Sequence, residues 1–424
     1  TVEMARRLSE QAKRDKVGGP SVETPGRALY ELLWPNRLKS EGFGDRNLRL
    51  ILDERAASLP WELLDDRRSW ETALASKADP PAIRAGLVRQ LVQQRYREQT
   101  GSTAGRRQAL VIGDPRGDPA REYKPLQGAI EEATAVATLL QSNGYAVTRL
   151  IGDQVFPEQV ISALLSERWQ IVHIAAHGDV EHDIAVNTPI AGDAAAGSLQ
   201  RTRKATGIVL GRNLFLEPSM LEQMPVAPDL FFVNCCHVGE VDAEREAALA
   251  ARRPELAASI AVQLIRMGVR GVVAAGWSVN DRLARTFATQ FYQGFLSKQE
   301  FGRAVRTARE AAYRQSPADP TWGAYQCYGE PDWRLSAAPA EGRNDEPPTF
   351  AAPAEALTEI ERIREDAQTL GERDRGALKQ RLDAIRNDAI AADGARRPWL
   401  ARAEIVSRSE EHTSELQSHL CISY

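Results

Sequence analysis

In Pro228-Asp-Leu-Phe-Phe-Val-Asn-Cys-Cys-His-Val-Gly239, a short apolar run is followed at once by an asparagine and two cysteines. The run Leu230–Val233 is made of residues that favour a buried β-strand. Open α/β sheets carry their chemistry at the carboxyl ends of their strands. We therefore expect this strand to deliver the thiol of Cys236 to that edge of a sheet.

A second segment, Ile171-Val-His-Ile-Ala-Ala-His-Gly178, has the same form and ends in His177 and Gly178. If the two strands are parallel neighbours, Cys236 and His177 lie side by side at their ends. An adjacent imidazole activates a thiol, which is otherwise only slightly ionised at neutral pH. The sequence thus predicts a nucleophile and a base, Cys236 and His177. The backbone N–H groups of Gly178 and Cys236 are the predicted oxyanion hole.

Strand and helix patterns alternate along the middle of the chain. Strand patterns cover residues 109–112, 146–151, 171–176, 208–210, 230–233 and 271–275, and helical patterns cover 128–140, 158–166, 255–267, 281–296 and 300–314. Such alternation indicates an α/β fold with a mostly parallel sheet covered on both faces. Residues 179–206 are polar and lack periodicity, which predicts a long functional or mobile loop. Arg201, Arg203 and Lys204 make this loop a candidate for self-cleavage.

Breaks in the pattern divide the chain into several predicted regions. Residues 1–25 are a linker or the end of an upstream region, 26–105 a smaller non-catalytic lobe, and 106–336 the catalytic domain. Residues 337–354 form an Ala/Pro-rich linker, 355–407 a helical segment that starts a repeat array, and 408–424 resemble a translated sequencing adapter. The chain begins without methionine at Thr1, so we expect it to be a fragment.

The composition limits the classes of partner. The chain of 424 residues is 43 % hydrophobic and 26 % charged, as globular proteins are. Its net charge of −4 is too small to indicate a nucleic acid or a membrane surface as the partner. No apolar run approaches the ~20 residues that cross a bilayer. Four cysteines without paired spacing make no disulfide framework, which favours a reducing cytoplasm.

Two other interpretations of the cysteine and histidine residues stay open. Buried cysteines and strand-end histidines are often purely structural. A metal site is the second alternative, since His173, His177, Cys235, Cys236 and His237 are all ligand types. The zinc signal is weak because no C-x-x-C pair exists and adjacent strand residues face opposite ways. His173 is predicted in the core, and His182 and His237 are predicted to be exposed.

These motifs together resemble one known family. His173-Ile-Ala-Ala-His-Gly178, Pro228–Gly239, Trp322-Gly-Ala-Tyr325 and Leu59-Pro-Trp-Glu-Leu63 occur in the order found in CHAT proteases, bacterial relatives of caspases and separases. The resemblance covers about residues 26 to 335. It implies a caspase-like three-layer α/β/α sandwich with a mostly parallel sheet, preceded by a smaller non-catalytic α/β lobe and followed by helices.

The resemblance also implies a function. Cys236 would be the nucleophile and His177 the general base of a cysteine endopeptidase that needs no metal or organic cofactor, while Cys235 would be structural. Relatives are often fused to tetratricopeptide repeats and act in bacterial defence, which implies a latent enzyme activated by a protein partner through the helices after residue 355. The alternative is a catalytically silent caspase-like scaffold that binds partners.

Caspases suggest where the substrate pocket lies. It is lined from the loop after the first strand, from the residue two before the nucleophile and from the loop after the next strand. Those positions hold Asp114, Asp118, Asn234 and Asp281 here, with Arg116 and Arg282 close by. The acidic side chains favour a Lys or Arg substrate residue. The alternative is that Asp114 and Asp281 cap turns or helices.

Overall fold

A computed structural model describes most of the central part of the chain. The described residues are 7–8, 23–39, 48–66, 79–91, 107–115, 123–189, 198–211, 214–237, 243–335, 356–357, 359–360, 363 and 372–391. The predictions for residues 1–25, 337–354 and 355–371 fall largely outside them. Asp118, Arg116, Gly239 and the adapter-like segment 408–424 lie wholly outside.

Helices and strands alternate as the sequence predicts. The strands are β1 Leu48–Leu52, β2 Leu87–Leu91, β3 Gln108–Gly113, β4 Ala146–Ile151, β5 Ile171–Pro189, β6 Ser198–Gly211, β7 Leu214–Leu216, β8 Leu230–His237, β9 Gly271–Ala275 and β10 Tyr325–Tyr328. The helices are α1 Glu23–Leu33, α2 Glu54–Ala57, α3 Gln127–Ser142, α4 Pro157–Ser166, α5 Pro218–Leu221, α6 Ala243–Arg266, α7 Asp281–Leu296, α8 Phe301–Gln315 and α9 Glu372–Ala391. Short turns of other helix types lie at Asn36–Leu38, Trp61–Leu63, Ala82–Gly86 and Pro320–Gly323.

One sheet runs through the molecule in the order β1-β2-β10-β9-β8-β5-β3-β4. Strands β3, β4, β5, β8 and β9 are parallel to one another. Strand β10 runs antiparallel to β9, and β2 and β1 follow the direction of β10. The strands of the amino-terminal segment therefore extend the same sheet through β10.

Helices cover both faces of this sheet. Helices α3, α7 and α8 pack on one face around Phe232, while α4 and α6 pack on the other around Phe231. Consecutive residues of β8 thus enter opposite cores, because side chains alternate along a strand. The result is a three-layer α/β/α sandwich with a mostly parallel sheet, so the predicted fold class is confirmed.

The predicted loop at residues 179–206 is wrong over its described part. Strand β5 continues to Pro189 and pairs antiparallel with β6, which begins at Ser198; residues 190–197 between them lie outside the described part. Residues of the hairpin and of β7 form a small apolar cluster of Ile184, Ala205, Val209 and Phe215. Because few side chains of the hairpin enter an apolar cluster, its sequence shows no regular alternation of apolar and polar residues. This is why the sequence predicts a loop there and not two strands.

A buried ion network joins the amino-terminal segment to the sheet. Glu62 lies in the short helix Trp61–Leu63, Arg89 in β2 and Arg309 in α8, and all three side chains are fully buried. Arg89 Nε donates to Glu62 Oε1 at 2.9 Å, and an Arg309 terminal nitrogen donates to the same oxygen at 3.3 Å. We call Glu62, Arg89 and Arg309 the triad.

Candidate active site

The two strands that the sequence singled out are neighbours. Strands β5 and β8 are parallel, and Ala175 pairs with Asn234. The next pair is His177 with His237, so β8 holds one more residue than β5 between these pairs. A bulge of this kind re-aims side chains and is frequent beside active sites. The side chains of Cys236 and His237 lie outside the described part of the structure, so the predicted roles stay predictions.

Cys235 and Gly178 bring the two strand ends into contact. A Cβ atom added at Gly178 would overlap the carbonyl oxygen of Cys235, so only glycine fits there. Cys235 itself is buried in the core on the α4 and α6 face. Its position is that of a packed thiol, in agreement with the structural role implied for it. The backbones of the two predicted oxyanion-hole residues, Gly178 and Cys236, therefore belong to adjoining strand ends.

His177 is buried, and a backbone carbonyl holds its ring. Its Nε2 lies 2.7 Å from the Lys124 carbonyl oxygen, and the Tyr123 ring centroid lies 5.2 Å from the imidazole centroid. A carbonyl oxygen can only accept, so Nε2 carries the proton that is donated. Nδ1 is then the nitrogen without a proton, and the Lys124 carbonyl fixes the orientation of the ring. Lys124 was not predicted, because a backbone acceptor leaves no signal in the sequence.

A second histidine lies next to this arrangement. His182 was predicted to be exposed, but it is buried, and its Nδ1 lies 3.1 Å from Asp179 Oδ2. Tyr123 donates its hydroxyl to the same carboxylate oxygen at 2.6 Å. The error arises because His182 follows a polar run whose burial depends on the β5–β6 hairpin.

Two of the predicted pocket residues meet the beginning of α3. Asp114 is buried at the end of β3, with φ at +43°, and its Oδ2 accepts from the N–H of Leu126 at 2.9 Å. This contact supports the alternative in which Asp114 ties the start of a helix. Asp281 begins α7, and its exposed side chain lies where a Cβ at Gly128 would be. Both carboxylates therefore lie at the positive end of α3.

The third predicted pocket residue belongs to a buried cluster. Asn234 donates to Glu132 Oε2 at 2.8 Å, and Glu132 Oε1 lies 3.4 Å from His173 Nε2. Glu132 Oε1, His173 Nε2 and Asn234 Oδ1 each have no hydrogen-bond partner. His173 lies in the core, as predicted. Burial, with the Glu132 charge as a second cause, raises the pKa of neighbouring Tyr292 well above its ordinary value.

The described residues also bear on metal binding and on insertion into a membrane. Within the described ranges, no group of three or more His, Cys, Asp or Glu residues is placed to hold a metal ion. The zinc alternative also needs Cys236 and His237, whose side chains are not described. None of the described helices is both long enough and apolar enough to span a bilayer.

Comparison with known proteins gives a family and several distant folds. A model of the CHAT domain matches residues 23–330. No curated protein sequence matches the chain. Similar solved structures include the Arg-specific cysteine proteinase gingipain R (12 % identity, 79 % of this chain and 75 % of that chain, TM-score 0.43). A complex of the pro- and mature domains of the Porphyromonas gingivalis enzyme gives 12 % identity, 80 % and 78 % coverage and a TM-score of 0.40.

Proposed function

Since the chain belongs to the CHAT domain family, we propose that it is a cysteine peptidase with Cys236 as nucleophile and His177 as base. One observation carries the proposal. The buried His177 is held through Nε2 on the strand that runs parallel to the cysteine strand, and this leaves Nδ1 to accept a proton. A base that is oriented by a third group is the usual arrangement for activating a nucleophile.

The proposed reaction follows the chemistry of acyl transfer. His177 takes the proton of the Cys236 thiol, and the thiolate attacks the substrate carbonyl to form a tetrahedral oxyanion. The N–H groups of Gly178 and Cys236 stabilise that oxyanion. The amine leaves with the proton from His177, and water then hydrolyses the thioester with His177 again as base. These steps need no metal and no organic cofactor.

We propose that the substrate pocket prefers a Lys or Arg side chain. The support is a concentration of negative charge at the beginning of α3, where Asp114 and Asp281 meet Leu126 and Gly128. Glu132 adds a buried carboxylate one turn further along the same helix, bonded to Asn234. An acidic pocket attracts a cationic side chain and disfavours an aspartate.

Regulation and location are proposed from the family resemblance. A latent bacterial enzyme in the cytoplasm would be activated in defence or signalling by a protein that binds the helices after residue 355. Helix α9, with its many charged residues, is the longest described stretch of that segment. Protein or peptide is the proposed substrate, and neither a membrane nor a nucleic acid is a proposed partner.

Labelling with thiol-reactive peptide electrophiles tests the reaction and the pocket. A peptide with Arg before the reactive group should modify Cys236 about a hundredfold faster than one with Asp. His177→Ala should abolish this labelling, and Cys236→Ala should leave no modified peptide in that region. Cys327 is an internal control, since burial raises the pKa of its thiol to about 12 and keeps it protonated.

Two outcomes would contradict parts of the proposal. If Cys236 reacts no faster than Cys327, the protein is latent or a scaffold, and repeating the labelling with the partner that binds the helices after residue 355 separates the two: only a latent peptidase gains a reactive Cys236. Faster labelling by the Asp peptide would leave the enzyme in place but would refute the acidic pocket.

A further inference from the structure

Strand β5 contains an irregularity just beyond His177. Asp179 pairs with Gly207 and His182 with Ala205, so β5 holds one extra residue between these pairs. Side chains three residues apart on a regular strand point to opposite faces. The extra residue instead brings Asp179 and His182 together, with 3.1 Å between the carboxylate and Nδ1. The bulge therefore builds a contact that a regular strand could not make.

The backbone of the bulge is strained. Glu181 has φ at +54°, a conformation that residues other than glycine rarely adopt. Its N–H donates to Thr206 Oγ1 at 2.9 Å, and its exposed carboxylate pairs with Arg252. Strain of this kind persists where the surrounding structure fixes it, and it clusters at functional sites.

The Asp179 carboxylate is the centre of the contacts around the bulge. It is almost completely buried, and a buried carboxylate is costly unless donors surround it. Its Oδ1 accepts from the Val180 N–H at 2.7 Å, and its Oδ2 faces the Tyr123 hydroxyl at 2.6 Å and His182 Nδ1. The His182 ring packs on Phe215 at 5.2 Å between centroids. The carboxylate therefore has a fixed position, and so does the Tyr123 hydroxyl bonded to it.

Tyr123 begins a short segment that contacts β5 at His177 and Asp179 and the end of β3 at Asp114. We call residues 123–126 the strap. Tyr123 is bonded to Asp179, the Lys124 carbonyl accepts from His177 Nε2, and the Leu126 N–H donates to Asp114. Side chains at both ends thus hold the strap, with the carbonyl that orients His177 between them.

We propose that Tyr123, Asp179 and His182 form a latch that positions the Lys124 carbonyl on His177. This inference rests on the peptidase function proposed above, in which His177 is the base. None of the three latch residues takes part in bond making or breaking, so they are positioning residues. Their effect passes through the strap, which selects the Nε2-protonated form of His177 and leaves Nδ1 directed to accept a proton.

The latch can be tested by removing one oxygen atom with Tyr123→Phe. The imidazole signals of ¹⁵N-histidine-labelled protein should show His177 as a single Nε2–H tautomer in the unaltered chain. In Tyr123→Phe, both tautomers of His177 should appear. For cleavage of an Arg peptide, kcat should fall about tenfold while KM stays within about twofold, because orientation of the base is lost and binding is not.

Tyr313→Phe is the matched control, because its ring packs on Trp322 at 5.4 Å between centroids and not on His177. It should leave both the tautomer and kcat unchanged. Asp179→Asn is a second test, since an amide cannot accept from all the donors around the present carboxylate. It should give the same mixture of tautomers.

The two readouts separate failure of the latch from failure of the proposed function. If His177 keeps one tautomer in both Tyr123→Phe and Asp179→Asn, the latch is wrong, whatever the activity. If neither the unaltered chain nor any variant cleaves the peptide, but the tautomer of His177 changes in the variants as expected, the latch is confirmed and the peptidase proposal fails. A loss of thermal stability with an unchanged tautomer would show that the three residues only support the fold, and would overturn the inference.

Discussion

Two buried polar networks lie at different places along the sheet, one beside β2 and the other at β5 and β8, and they differ in how completely they are bonded. One is the triad of Glu62, Arg89 and Arg309 at the junction of the amino-terminal segment with the sheet. The other is the group of Glu132, His173 and Asn234 beneath the strand ends, which we call the site cluster. Each contains one buried glutamate, so the two can be compared directly.

The triad is almost fully satisfied. Glu62 accepts from both arginines, with two nitrogens of Arg89 on its two oxygens. The arginines also donate to backbone carbonyls, including those of Leu59 and Tyr325. Among the side-chain nitrogen and oxygen atoms of the triad, Arg309 Nε alone has no partner. Burial by itself would lower the pKa of Arg89, but the Glu62 charge raises it above its ordinary value.

The site cluster is bonded far less completely. Each of its three residues keeps one polar atom without a hydrogen bond, although all three are buried. Unpaired buried polar atoms cost stability, so a group that retains them is suited to a role other than holding the fold. The triad is thus bonded as a group that fixes the architecture, whereas the site cluster contains Asn234, which is predicted to line the pocket.

The largest expected effect is on the triad. Glu62→Gln leaves two arginine charges buried without a counter-charge, and this should lower the free energy of unfolding by about 3–5 kcal/mol. Denaturant titration followed by circular dichroism measures it. Glu310→Gln, in a largely exposed pair with Arg314 on α8, should change the same quantity by less than about 0.5 kcal/mol. Equal losses in the two variants would remove the distinction between buried and exposed ion pairs here.

Two buried ionisable residues near the triad, Cys327 and Tyr328, should make the protein less stable at alkaline pH. Burial raises the pKa of Cys327 from 9.0 to about 12, and burial likewise raises the pKa of Tyr328 from 10.0 to about 12. A folded-state pKa above the unfolded value gives stability that is present below pH 9 and is lost as the pH rises through 12. Between these two pH values the free energy of unfolding falls as the pH rises. Removing the thiol with Cys327→Ala should make this slope less steep by about 1.4 kcal/mol per pH unit.

Unfolding free energies measured on both sides of pH 9 test this expectation. Tyr328→Phe should remove a similar slope that begins one pH unit higher, because the ordinary pKa of tyrosine is 10.0. A slope that stays the same in Cys327→Ala would mean that the thiol is accessible to base in the folded protein.

Much of the sheet could be predicted from the sequence. Strands β4 and β9 and helix α7 have the predicted bounds, because buried parallel strands appear as apolar runs and α7 has strong helical periodicity. The same runs placed His177 and the cysteine pair at the ends of neighbouring strands, since parallel strands share one carboxyl edge.

Other features depend on contacts that no local pattern records. The bulge between Asp179 and His182 lies where the pairing of β5 with β6 shifts by one residue, and β6 was not recognised beyond residues 208–210. The Lys124 carbonyl belongs to the backbone and has no residue type to identify it. Glu132 was missed because it lies on the buried face of α3, where the helical pattern leads one to expect an apolar residue.

Of the two networks, the site cluster has the smaller expected change in stability. Glu132→Gln keeps an oxygen for Asn234 and can turn its amide nitrogen towards His173 Nε2, which has no hydrogen bond now. The free energy of unfolding should therefore change by less than about 1 kcal/mol. Loss of the charge should slow labelling of Cys236 by the Arg peptide about tenfold, equivalent to about 1.4 kcal/mol.

Glu131→Gln is the matched control for this prediction, because Glu131 is the adjacent residue of α3 and pairs with Arg285 at the exposed surface. It should alter neither stability nor labelling, since solvent screens that charge. The same carboxylate-to-amide change would then cost stability at Glu62, substrate preference at Glu132 and nothing at Glu131. If Glu132→Gln instead lowers stability as much as Glu62→Gln and leaves the Arg preference intact, both networks hold the fold, and the unpaired atoms of the site cluster have no role in the pocket.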